Sequence, residues 1–88
     1  MSAIILIHGL ATGERSPHDG RYVAEYTPDG HKGVGRLLST ADILEAKRYA
    51  DAVEAMGAWK AVSNTHPIRL DGKPNRPLSA YTVEVLNL

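Results

Sequence analysis

Four histidines, five serines and no cysteine define the chemistry open to this 88-residue chain. Without cysteine there is no disulfide, no thiolate metal ligand and no thiol nucleophile. His8, His18, His31 and His66, with Asp19 and Asp29, are the residues that could ligate a metal. Ligand pairs on one element need i, i+4 spacing on a helix or i, i+2 on a strand, and no two of these histidines stand so. The sequence therefore implies no metal centre and no cofactor. His18-Asp19 could form a general base, the carboxylate orienting the imidazole. Adjacent side chains diverge in a strand and converge only in a turn, and no nucleophile stands beside them in sequence. A small hydrolase around His18 and Asp19 is the third-ranked reading.

Lys32-Gly33-Val34-Gly35-Arg36 follows Pro28-Asp29-Gly30 and superficially resembles a phosphate cradle. A P-loop requires G-x-x-x-x-G-K-[ST] between strand and helix. The spacing of Gly30, Gly33 and Gly35 does not meet it, so a hairpin connection is expected here. The segment Lys60 to Pro77 is more distinctive. Lys60, Arg69, Lys73 and Arg76 stand against Asp71 alone, which leaves +3 on a stretch stiffened by three prolines. A rigid connector loses little ordering entropy on engaging a partner, and its cations suit carboxylates or phosphates. Lys60, Arg69, Asp71, Lys73, Asn75 and Arg76, with His18 and Asp19, form the candidate binding set. The rival structural reading has Asp71, Asn75 and Arg76 tying the loop to the body.

These residues need a scaffold. Ala3 to Ile7 is aliphatic at both parities, as a central strand covered on both faces would be. Arg21 to Thr27 alternates and carries two tyrosines, so it reads as a second strand. Arg36 to Ser39 is a short third strand, expected at an edge. Ala80 to Leu86 is the last, with Tyr81, Val83 and Val85 on one face and Thr82 and Glu84 on the other. Asp51 with Glu54 matches a capping-box-like helix start. Ala52, Ala55, Met56, Trp59 and Val62 then share one helical face. Trp59 is expected in the core; partly exposed beside Lys60, it would suit an interface anchor. A capping signal at Thr40 or Asp42 predicts an earlier helical turn through Lys47, with a break near Tyr49-Ala50 rather than one helix over Thr40–Ser63. The order is β-β-β-α-β. It implies a single α+β domain over residues 1–88, a small antiparallel sheet with one helical layer on one face. The uncovered face must then be closed by the long loops or by a partner, and a homodimer would serve.

Ser16-Pro17-His18-Asp19-Gly20 leads into Tyr22 and Tyr26, and Asp71-Gly72-Lys73-Pro74-Asn75-Arg76-Pro77-Leu78 leads into Tyr81-Thr82-Val83-Glu84-Val85. With Ala46-Lys47-Arg48-Tyr49-Ala50-Asp51 and Trp59, these stretches resemble a family of small bacterial proteins, some phage- or prophage-associated. The resemblance spans Leu10 to Val85. The family has no established activity, so the resemblance implies architecture and context and no catalytic residue. Leu6-Ile7-His8-Gly9 also looks like the strand-plus-HG segment of α/β hydrolases. No serine here lies in the G-x-S-x-G elbow those enzymes need, and 88 residues are too few for that fold.

Ten basic and ten acidic residues cancel, against the basic excess usual for proteins held on phosphate backbones. With 43% hydrophobic and 23% charged residues the composition is globular rather than disordered. The apolar run Met1–Leu10 lacks a basic n-region and is too short to span a bilayer, so a cytoplasmic protein without membrane partners is expected. The leading expectation is a non-enzymatic, protein-binding accessory domain of phage origin, for example an inhibitor of a host defence protein such as an anti-CRISPR factor. The second is a nucleic-acid-associated protein using Lys60–Arg76 with Arg21 and Arg36.

Overall fold

A computed structural model of the chain describes residues 2–30 and 35–88. The glycine-spaced stretch read as a hairpin connection therefore lies, at residues 31–34, outside the described residues. Strands β1 (Ala3–Leu10), β2 (Tyr22–Thr27), β3 (Arg36–Thr40) and β4 (Tyr81–Asn87) form one antiparallel sheet in the order β3-β2-β1-β4. The α-helix α1 (Ala52–Trp59) packs over β1 and β4. The fold is the small α+β architecture the alternation patterns imply, with β3 at an edge.

The aliphatic run of β1 explains its central place. Ile4, Ile5 and Ile7 are all fully buried, although they point to opposite faces. On the helix side, Ala3, Ile5, Ile7, Val23, Tyr49, Ala55 and Leu78 form the core cluster. Tyr81, Val83 and Val85 of β4 pack against it, with Trp59 from the helix. On the far side Ile4 pairs with Leu86, and Leu6 with the exposed Glu84. This mixed face needs less cover than an all-apolar one.

β1 and β2 meet at one register point, Leu6 opposite Tyr22, and separate beyond it. The segment before α1 fills the gap. Tyr49 exchanges two backbone hydrogen bonds with Ala3, at 2.8 and 2.9 Å, and the Lys47 N–H donates to the Val23 carbonyl at 2.8 Å. Those bonds require extended backbone, which places the break where the second capping signal puts it. They also correct the expected helical turn through Lys47: only a 3-10 turn over Ile43–Glu45 forms, capped by the Asp42 side chain on the Leu44 N–H at 2.9 Å.

Asp51 caps α1 by accepting from the Glu54 N–H at 2.9 Å, and the Glu54 carboxylate accepts from Ala50 N–H at 3.3 Å. The helix stops at Trp59, short of Val62. Ser63 is drawn away by a bond from its N–H to the Asn75 carbonyl, 2.9 Å. Trp59 takes the core role expected of it, and its indole N–H donates to the Tyr81 carbonyl at 3.1 Å, joining helix to edge strand.

Candidate functional site

The first long connector is held against β3, and the second is anchored at Asp29, just beyond the end of β2. In the first, Ser16 and Asp19 close a turn on each other: the Ser16 N–H donates to Asp19 Oδ2 at 3.1 Å, and the Asp19 N–H to the Ser16 carbonyl at 3.1 Å. His18 is turned the other way. Its Nδ1 lies 2.7 Å from Ser39 Oγ on β3, and its ring meets Tyr81 edge-on with centroids 5.9 Å apart. The His18–Asp19 pair that the hydrolase reading needs is therefore not made. Asp19 spends its carboxylate on its own turn, and a serine on β3 is the histidine's partner.

Arg21 completes this cluster. Its Nε–H donates to Ser39 Oγ at 3.1 Å and its terminal nitrogen to the Ser39 carbonyl at 3.0 Å. The three side chains tie the first loop to the edge strand at one corner of a cleft of about 330 Å³. The cleft lies between β3 and the corner before β4. Its walls include Leu37, Leu38, Pro77 and Leu78, and its rim includes His18, Tyr26, Arg36 and Tyr81. Tyr26 is fixed from one side, its hydroxyl oxygen accepting from the Leu78 N–H at 2.9 Å. Burial holds its phenol above the usual range, with the nearby Tyr49 adding to the effect.

The second connector is an ordered hairpin. Ile68 bridges Pro74, the Arg69 N–H donates to the Lys73 carbonyl at 2.8 Å, and the Gly72 N–H to the Arg69 carbonyl at 3.0 Å. With Gly72 at φ +82°, this is a three-residue hairpin loop ending in a left-handed glycine. Asp71 reinforces it, accepting from the Lys73 N–H and pairing with Arg69, each at 3.1 Å. Asn75 donates to the His66 carbonyl at 2.9 Å. The base is anchored by Asp29, which accepts from the Ser63 hydroxyl at 2.9 Å and from the N–H groups of Thr65 and Asn64. Those bonds, the Ser63 hydroxyl foremost, hold the Asp29 carboxyl below its usual range.

The candidate set thus divides. Asp71 and Asn75 bond within the second connector, to Arg69, Lys73 and His66, and Arg69 is half committed to Asp71. The Lys73 side chain makes no ion pair among the described residues. Nor does that of Arg76, whose carbonyl accepts from Ser79. Lys60 closes α1 beside a shallow apolar depression lined by Ala52, Val53, Met56 and Gly57. His18 faces the cleft and Asp19 does not contribute to it. Among the described residues, no three histidine, aspartate or glutamate side chains gather as a metal site would require. No helix of the described chain is long and apolar enough to cross a membrane.

Two apolar residues escaped the charge-based reading. Leu70, at the hairpin tip, is fully exposed, and Ile68 is 62% exposed. The sequence does show them, as the aliphatic positions on either side of Arg69 in an otherwise polar loop. Comparison with protein families, with curated proteins and with solved structures finds no match for this chain.

Proposed function

We propose that this chain is a non-enzymatic protein-binding domain and that the hairpin over residues 66–75 is its contact element. One observation carries the reading: a hairpin stapled by its own hydrogen bonds and by the Arg69–Asp71 pair lifts Leu70 and Ile68 into water. Exposed aliphatic groups on a rigid support suit an interface, because little ordering entropy is lost when they dock. The partner that fits is a protein with an apolar socket and an acidic rim facing Lys73 and Arg76. A phage-derived inhibitor of a host defence protein is one such domain; that narrower reading draws on chain length and family resemblance.

The experiment compares capture from bacterial lysates by the wild type and by a double Ile68→Ser, Leu70→Ser variant. Both side chains are exposed, so the variant should keep its circular dichroism spectrum and melting temperature. A protein retained by the wild type and lost with the variant supports the proposal. Background proteins alone, or a partner held equally by both, overturn it. A low-salt gel shift weakened by alanine at Arg69, Lys73 and Arg76 would instead favour nucleic acid.

A further inference from the structure

We propose that the cleft between β3 and the Pro77–Tyr81 corner binds a small carboxylic acid with an aromatic or branched apolar body. The site is separate from the exposed hairpin tip and stands or falls without it. Its volume, about 330 Å³, is at the lower end of small-ligand pockets. The walls supplied by Leu37, Pro77 and Leu78 suit an apolar body, and the edges of two tyrosine rings flank it.

The polar groups at its rim are hydrogen donors. Ser39 Oγ accepts from Arg21 and keeps a second lone pair as well as its proton, so it can meet His18 Nδ1 as donor or as acceptor. Where the hydroxyl donates, neutral His18 carries its hydrogen on Nε2, and protonated His18 carries one there as well. In those forms Nε2 is a donor with no acceptor among the described residues. The Tyr26 oxygen accepts from Leu78, so its own proton is likewise available. Arg36 adds a guanidinium that pairs with no described acid. No carboxylate is among the residues lining the cleft. Donors without acceptors around an apolar hollow call for an anion, and a guanidinium can take a carboxylate through two parallel bonds. Because Arg36 supplies the one permanent charge among the described lining residues, a singly charged carboxylate fits better than a phosphate dianion.

The test titrates the whole chain with 3-phenylpropionate and, as the uncharged isostere, 3-phenylpropanamide, following the His18 and Tyr26 ring signals by NMR. The acid should give saturable shifts at both rings, with a dissociation constant on the order of 1 mM for a ligand this small. Binding should weaken by about tenfold or more for the amide and for Arg36→Gln, which loses the charge and keeps a polar amide. The Leu70→Ser variant should bind as the wild type does, which separates this result from any failure of the hairpin proposal. Shifts that do not saturate, that follow the amide equally, or that persist unchanged in Arg36→Gln overturn the assignment.

Discussion

Ser39 Oγ sits 2.7 Å from His18 Nδ1 and 3.1 Å from Arg21 Nε, so one hydroxyl on an edge strand holds the middle of the Ser16–Gly20 turn and the residue that follows it. Two residues separated by 21 positions are thereby brought into register. Arg21 can only donate, and the hydroxyl, with two lone pairs and one proton, can face the imidazole as donor or as acceptor. The donor role is the one the proposed cleft requires.

Long-range ¹⁵N spectra of neutral His18 should show Nε2 protonated and Nδ1 bare. Ser39→Ala removes both bonds, each worth about 1 kcal/mol. It should also reduce the ring-current shift that Tyr81 imposes on His18, because nothing then holds the two rings edge to face. A signal from protonated Nδ1 in the neutral wild type would reverse the donor assignment at the cleft.

Asp29 and Ser63 make a second long-range tie. Ser63 is fully buried; its hydroxyl donates to Asp29 and accepts from the His66 N–H at 3.1 Å. Ser63→Ala leaves that amide and the carboxylate short of a partner, at about 1–3 kcal/mol. For a domain of this size each kilocalorie lowers Tm by roughly 4–8 °C. The pH dependence follows the depressed carboxyl. Since the folded value lies below the unfolded 3.8, the contribution is complete above pH 3.8 and is lost as pH falls through the folded value. Asp29→Asn should therefore flatten the acid limb of a Tm–pH profile while leaving its alkaline limb in place.

What the sequence disclosed and what it concealed divide by range. The central strand was legible because Ala3 to Ile7 is aliphatic at both parities, and the helix start because Asp51 and Glu54 are local partners. The extent of the helical region was not. Lys47 and Tyr49 are drawn into extended pairing by Val23 and Ala3, residues more than twenty positions away that nothing in the local pattern announces. Asp29 reads as a turn residue in Pro-Asp-Gly, and only the fold carries Ser63, Asn64 and Thr65 to it. The cleft is the extreme case. It draws on His18, Tyr26, Leu37 and Pro77, whose spacing has no period. The hairpin was half legible: its prolines and charges marked it, while the weight given to charge hid the exposed leucine at its tip.

Burial of two tyrosines gives the alkaline counterpart. Tyr26 and Tyr49 are both held above 10.0, chiefly by burial, with Glu54 adding to the effect at Tyr49. A group whose folded value is raised contributes fully below its unfolded value and loses that contribution as pH rises through the folded one. Stability should thus decline above about pH 10. Ultraviolet titration should show a late phase from Tyr26 and Tyr49. Tyr49→Phe should recover part of the alkaline loss, since the phenol that must ionise is gone while the ring stays in the core. Ionisation of Tyr26 and Tyr49 at the ordinary phenol value in the folded protein would contradict the burial assigned to this pair.

Gly35 offers the last check, because two separate demands meet at it. Its φ is +93°, a region that L side chains rarely adopt, and a Cβ built there would stand 2.6 Å from Pro77 Cβ. Gly13 has a similar φ of +84° with nothing within 4 Å of the corresponding position. Gly13→Ala therefore carries the backbone strain alone, on the order of 1–2 kcal/mol. Gly35→Ala carries that strain plus a clash against a proline ring that has little freedom to move. Its Tm should fall clearly further than that of Gly13→Ala. Since Pro77 is a wall of the cleft, the binding of 3-phenylpropionate should weaken in Gly35→Ala and survive in Gly13→Ala. Equal losses of stability in the two variants would mean that the approach of Gly35 to Pro77 is looser than 2.6 Å implies.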